Sequence, residues 1–453
     1  MMTVFFDKIR AVTGTHFYHI MKLANRFWFM GVRSLVPLSL KRNVSYMLIG
    51  NLIYALSQWG IIMVLAKLGS PKMVGGFTLG LAVTAPIILI FDLQLRSVLA
   101  TDIKEEFTFR NYLTLKGINS FIALFVLGIV VLIGGYTGQT ALVIFLVGLA
   151  KLIESVIELH YGLFQKHERM DMIAKSLVIR GCISLFIIAV LITFTSNLLI
   201  AVTGFAISWL CLLIILEVPK AKRMVALSPS TLNLHSVKRL FLTSFPLGLV
   251  MMMISLYTNI PRYVIEHMIG TEAVGYFSAL FYIVTAGNLV INAIGQTISP
   301  RLASYFGQEE YTKFSKLLMK FVLFGFIYGL IGIILTLVIG KQVLGIIYTK
   351  DYIQYHQLFV FLMIAGTLMY AGSFFGIALT AMRKFSIQPI LSIIWVISTI
   401  VLSILLIPAY GLTGAAVVTI ITTAIQLLTL AITVTWYLSQ AKKHHRLSIQ
   451  TSN

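Results

Sequence analysis

The feature that most restricts this chain is a succession of apolar runs, each long enough to span a bilayer, filling almost everything between residues 45 and 437. About 20 apolar residues in a helix cross roughly 30 Å of hydrocarbon. Twelve such runs are read, at 45–67, 74–95, 113–136, 141–163, 176–195, 198–217, 240–264, 274–297, 317–340, 356–380, 388–408 and 411–437. They are continuous rather than alternating, which makes them helices and not barrel strands. A soluble domain is excluded, because only 11% of the residues are charged where soluble proteins carry about 25%. The expectation is an all-α membrane protein.

The net charge of +20 does not point to nucleic acid, because its distribution follows the spans. With the N-terminus in the cytoplasm, 29 Lys and Arg residues fall on the inner side. Five fall outside: Lys67, Lys72, Arg262, Lys341 and Lys350. That asymmetry is the positive-inside pattern, and the inner charge also suits anionic membrane lipids. Both termini are therefore expected in the cytoplasm. Residues 1–44 read as an amphipathic segment on the membrane surface, with Phe27-Trp28-Phe29-Met30 broken by Arg26, Arg33 and Pro37. Residues 438–453 read as a basic tail. Cys182 and Cys211 lie inside spans without metal spacing and are assigned to packing.

The chain repeats itself. Gly69-Ser70 and Val74-Gly75-Gly76-Phe77-Thr78-Leu79 are echoed 200 residues later by Gly270-Thr271 and Val274-Gly275-Tyr276-Phe277-Ser278-Ala279. Both copies open the helix that follows an outer turn, and each is followed by an Arg near the far end, Arg96 and Arg301. Six spans separate the copies, so the halves share one orientation. Such parallel repeats are related by an axis along the membrane normal, with substrate sites between them. Two six-helix lobes are expected, at 45–217 and 240–437, joined by a cytoplasmic linker at 218–239 that contains Ser228-Pro229-Ser230.

Ionisable groups within hydrocarbon are costly and mark function or pairing. Lys151, Glu154, Ser155 and Glu158 share one face of the fourth span. They read as the polar wall of a substrate pathway or as a self-paired Lys–Glu bridge. Asp92 and Arg96, four apart, read as an ion pair at the cytoplasmic end of the second span in preference to a substrate contact. The seventh span holds Pro246 and Pro261, which let a membrane helix bend. Beside them, Asn259 and Arg262 read as an anion contact in a cavity, or Arg262 snorkels to the interface. Asn288, Asn292 and Gln296 on the eighth span line a cavity or bond neighbouring helices. There is no GxxxxGK[ST], no HExxH and no His/Cys/carboxylate group at metal spacing. His160 reads as an interfacial residue. No enzymatic chemistry is expected.

Asn259-Ile260-Pro261-Arg262-Tyr263, followed by Gly270 through Ala279, resembles the polysaccharide-transport flippases of the multidrug/oligosaccharidyl-lipid/polysaccharide exporter superfamily. So do Leu65-Ala66-Lys67-Leu68-Gly69, Tyr161 through Met170, and Tyr410-Gly411-Leu412-Thr413-Gly414-Ala415-Ala416. The likeness runs from about residue 43 to 437. It implies a V-shaped pair of six-helix lobes around a cationic cavity. It also implies movement of undecaprenyl-diphosphate-linked O-antigen or capsule repeats across the bacterial inner membrane by alternating access. Lys151, Arg262 and Arg96 or Arg301 would then attract the diphosphate, while Glu154 and Glu158 separate those cations or bind a coupling proton or Na⁺. No other cofactor is implied. The partners implied are the lipid-linked oligosaccharide, membrane lipids, and the polysaccharide polymerase and chain-length proteins. A drug/cation antiporter of the same superfamily would want an acidic or apolar cavity, against Lys151. A membrane glycan polymerase or ligase would want a larger outer loop than Lys341 to Tyr355.

Overall fold

A computed structural model describes residues 40–102, 105–225, 233–384 and 386–452. Residues 1–39 of the segment read as amphipathic, and the Ser228-Pro229-Ser230 part of the linker, lie outside the described residues, while residues 40–44 begin the first helix. Thirteen α-helices are described: α1 (Leu40–Leu68), α2 (Pro71–Asp92), α3 (Leu95–Thr101), α4 (Phe109–Ile133), α5 (Gly138–Lys166), α6 (Met170–Thr195), α7 (Leu198–Leu212), α8 (Val218–Val225), α9 (Leu234–Met268), α10 (Thr271–Gly307), α11 (Tyr311–Ile347), α12 (His356–Ala381) and α13 (Gln388–Ser452). Eleven helical stretches are long and apolar enough to cross a membrane. The last one counts twice, because α13 breaks at Gly411 (φ 58°, ψ −137°) into the eleventh and twelfth expected spans. Helix formation lets most polar backbone groups bond within their own helix, the condition for entering hydrocarbon.

Local chemistry sets the helix ends. Ser70 caps α2 by accepting from the Met73 amide, with Pro71 in the first turn. Thr108, Asn197 and Asn233 cap α4, α7 and α9 in the same way. The turn before α7 uses Ser196 at φ 47°. Its counterpart in the second half is Gly411, so both halves place a positive φ between their last two spans with different residues. The expected 218–239 linker is helical at both ends: α8 continues α7 through one π turn, Leu213–Glu217, and α9 begins at Leu234.

Within the first half α1 packs on α6, α2 on α5 and α6 on α7; within the second, α11 and α13 pack on α12, and α9 on α13. The halves meet where α2 packs on α9 and α10. At one end of this seam the two echoed motifs face each other. A Cβ on Gly75 would lie 1.8 Å from the Thr271 carbonyl oxygen, and one on Gly275 would lie 1.9 Å from that of Pro71. The contact is reciprocal under the 200-residue offset, as an internal twofold axis requires. Only glycine lets the backbones approach this closely. Farther along the seam Gly248 of α9 meets the Ile90 carbonyl of α2, and the Tyr263 hydroxyl donates to the Ala82 carbonyl.

Candidate functional site

Two cavities, one in each lobe, are lined by the polar residues singled out above. The first, of about 610 Å³, lies between α2, α3 and α5 and is lined by Thr84, Asp92, Arg96, Lys151, Glu154 and Glu158 among others. The 3–4 spacing on α5 brings Lys151, Glu154, Ser155 and Glu158 to one wall, as the sequence predicts. Lys151 Nζ donates to Glu154 Oε2 at 2.7 Å, so the internal pair exists. The pair is part of a larger network. Tyr54 donates to Glu154 Oε1 at 2.6 Å, and Arg180 of α6 stands 3.2 Å from Glu154 and 3.3 Å from Glu158. Arg96 pairs with the other oxygen of Glu158 and reaches Gln165 at 3.3 Å. Lys116 pairs with Asp92, which also accepts from Ser155 Oγ at 2.6 Å. The network holds four cations and three carboxylates, an excess of one positive charge.

Arg96 is not paired with Asp92, contrary to the spacing-four expectation. The helix breaks between them, with Leu93 and Gln94 both in the left-handed region (φ 54° and 53°). Non-glycine residues avoid that region at a cost of roughly 1–2 kcal/mol each. The break starts α3 in a new direction and carries Arg96 to Glu158. Arg180, like Lys116, is a cation that the sequence reading missed. It is 1% exposed, and its Nε and Nη1 have no hydrogen-bond acceptor. The rings of Tyr54, Trp209 and Tyr161 surround its guanidinium at 4.5, 5.2 and 5.7 Å. Cation–π contact supplies part of what lost hydration removes. An Arg ten residues into α6 was itself a signal, since it stands inside an apolar run.

The second cavity, of about 620 Å³, is enclosed by α9, α10, α12 and α13. Its one ionisable cation is Arg262, 8% exposed. Arg262 does not snorkel. Nε donates to Ser278 Oγ at 3.0 Å, Nη1 donates to Asn259 Oδ1 at 2.8 Å and to the Thr258 carbonyl at 3.2 Å, and the Phe281 ring lies 5.3 Å away. Among the described residues no carboxylate pairs with it. Asn288 lines the same cavity with its Oδ1 buried and unbonded.

Other expectations fare differently. Asn292 is exposed and lines neither cavity. Arg301 is also exposed and donates to its neighbour Tyr305 at 3.1 Å, so it does not match Arg96 as a cavity residue despite the repeat. The Gln296 side chain lies outside the described set. Pro246 and Pro261 both sit in an unbroken α9. Cys182 and Cys211 are exposed on α6 and α7 rather than packed inside. His160 is buried within the protein, with Nδ1 against the Val156 carbonyl at 2.8 Å and its ring edge-on to Phe109.

Residues 40–306 match the family described as polysaccharide biosynthesis protein. The chain belongs to that family. A capsular polysaccharide biosynthesis protein of Staphylococcus aureus, CapF, is 30% identical over 382 residues, which cover 83% of this chain and 94% of that relative. Two solved structures share the fold at a TM-score of 0.71. One is an inward-facing multidrug-resistance transporter of the MATE family, 14% identical over 86% of this chain and 96% of its own. The other is the lipid II flippase MurJ in an inward closed conformation, 12% identical over 86% and 87%. An outward-facing MATE transporter, 15% identical over 88% and 94%, reaches only 0.57. The architecture is thus the V-shaped, two-lobed transporter fold of the superfamily that the sequence motifs resemble.

Proposed function

We propose that this membrane protein is a flippase that carries undecaprenyl-diphosphate-linked oligosaccharide repeats from the inner to the outer leaflet by alternating access. The observation that carries the reading is membrane-embedded positive charge facing polar cavities: a network with one excess cation in the first lobe, and Arg262 without a carboxylate in the second. Such charge is costly in a bilayer unless an anion meets it. A diphosphate does so, because Lys and Arg match it in charge and hydrogen-bond geometry. Lys151 and Arg96, 27% and 28% exposed at their side chains, are the cations that can turn from Glu154 and Glu158 toward a substrate. The carboxylates hold them in place between cycles or take up a coupling proton or Na⁺. A cationic drug would find the wrong sign of charge here, which disfavours an antiporter.

On the positive-inside reading, the Gly75–Gly275 contact belongs to the outer side. The close glycine contact supports a state closed to the outside, with Pro246 and Pro261 the hinge points of α9. The delivered repeats would pass to a polymerase and chain-length proteins, and no bond is broken in the flippase itself. Deleting the chain from its host and restoring it with Lys151→Ala tests the reading. Surface polysaccharide is expected to stay absent, with lipid-linked repeats accumulating and protein still in the membrane; Lys151→Arg restores part. Normal export by a Lys151→Leu, Glu154→Leu double variant would remove this pair from the site.

A further inference from the structure

The second-lobe cavity has a chemistry that a diphosphate site does not need. Its serine and threonine hydroxyls spend their protons on their own helices. Thr285 donates to the Tyr282 carbonyl at 3.0 Å, Ser373 to Met369 at 2.8 Å, Thr380 to Gly376 at 3.0 Å and Ser392 to Gln388 at 2.9 Å. Each oxygen keeps its lone pairs, so the surface these groups offer is rich in acceptors. Asn288 Oδ1 adds a buried acceptor with no partner. A phosphate at neutral pH is also an acceptor and gains nothing from such a wall. A molecule dense in O–H donors does.

The cavity also has an aromatic corner. The Tyr257 and Trp395 rings lie 5.6 Å apart at 66°. Both are held by their polar ends: Gln426 Nε2 donates to the Tyr257 hydroxyl at 2.9 Å, and Trp395 Nε1 donates to Thr429 Oγ1 at 2.9 Å. Fixed ring faces suit the apolar C–H face of a pyranose, while its rim of hydroxyls meets the acceptors. On α12, a Cβ at Gly376 would meet nothing within 4 Å, so the backbone there leaves open space. At about 620 Å³ the cavity is of ordinary ligand size.

We infer that the second-lobe cavity is a saccharide subsite that seats a pyranose of the glycan against Tyr257 and Trp395, hydroxyls donated to Thr285, Asn288, Ser373 and Ser392. Arg262 in the same wall meets the negative charge next to that sugar. The inference rests on the flippase reading and adds to it a division of labour: the diphosphate lies between the first-lobe cations and Arg262, and the adjoining sugar sits in the second-lobe cavity.

The test uses the full chain in nanodiscs whose lipids carry no sugar. One probe is the oligosaccharide released by mild acid from the host's own lipid-linked repeats. The other is undecaprenyl diphosphate without sugar. Saturation-transfer NMR and titration read binding of each. The oligosaccharide should bind wild-type protein and lose about tenfold or more affinity in Trp395→Leu and in Thr285→Val. Trp395→Phe, which keeps a ring face, should retain binding, and undecaprenyl diphosphate should bind all three variants as it binds wild type. Unchanged oligosaccharide binding in both Trp395→Leu and Thr285→Val overturns the subsite, as does an equal loss for undecaprenyl diphosphate. If wild type binds undecaprenyl diphosphate but not the oligosaccharide, the subsite falls and the flippase reading stands. If it binds neither, both fall.

Discussion

In the first lobe Arg180 is 1% exposed and has two carboxylates within 3.3 Å; in the second Arg262 is 8% exposed and has none. Both are arginines on transmembrane helices, each beside aromatic rings. The protein supplies the counter-charge in one case and leaves it to come from elsewhere in the other. A buried ion pair gains little net stability, but breaking it strands a charge. A buried cation with only neutral acceptors already bears that desolvation cost. The contrast teaches that the first-lobe network carries most of its own counter-charge and is one anion short, whereas the second-lobe cavity carries none.

The largest expected effect comes from breaking the better-satisfied side. Arg180→Met takes away the cation shared by Glu154 and Glu158, which keep Lys151 and Arg96, and leaves a gap among Tyr54, Trp209 and Tyr161; it should cost about 2–3 kcal/mol. It should appear as a large drop in the thermal unfolding midpoint of the protein in nanodiscs, and export should vanish. Near-wild-type stability would mean that the network is held by Lys151 and Arg96 alone.

A smaller effect is expected at the seam between the lobes. Gly75→Val places a side chain against the Thr271 carbonyl, where even a Cβ would stand at 1.8 Å. The two lobes should part at this end. Spin labels at Lys72→Cys and Glu272→Cys, both exposed positions, should report a longer separation in Gly75→Val than in the unsubstituted background. An unchanged separation would deny that the reciprocal glycine contact holds this end shut.

The smallest effect concerns the exposed cysteines. Cys182→Ser and Cys211→Ser should change stability by no more than about 0.5 kcal/mol each and leave export intact, giving the cysteine-free background for labelling. In that background Lys72→Cys and Lys350→Cys should react with an impermeant thiol reagent in whole cells, and Lys384→Cys should not. The reverse pattern would invert the orientation used above.

The twelve spans, their order and the repeat were legible because apolar length and a strict 200-residue offset are properties of the chain itself. The α5 face was legible because helical spacing alone brings Lys151, Glu154 and Glu158 together. Their partners were not. Arg180 and Lys116 come from other helices, and nothing in linear spacing joins α6 to α5. The separation of Asp92 from Arg96 depends on two left-handed residues, Leu93 and Gln94, which carry no glycine or proline to mark the break. Arg301 was drawn in by the repeat, but the site is where the halves have diverged. The acceptor-rich cavity was the least visible part, since Thr285, Ser373 and Ser392 reveal their role only once their own protons are seen to be committed.

The most direct test of the contrast between the lobes is the thermal unfolding midpoint of Arg262→Met beside wild type, with and without undecaprenyl diphosphate. Without ligand, Arg262→Met should unfold at the same temperature as wild type or higher, because it removes a desolvated cation that no carboxylate meets. With ligand, wild type should gain stability by mass action and Arg262→Met should gain less. A ligand-free Arg262→Met destabilised as severely as Arg180→Met, with an undiminished response to ligand, would contradict the account and make Arg262 a structural residue like its counterpart.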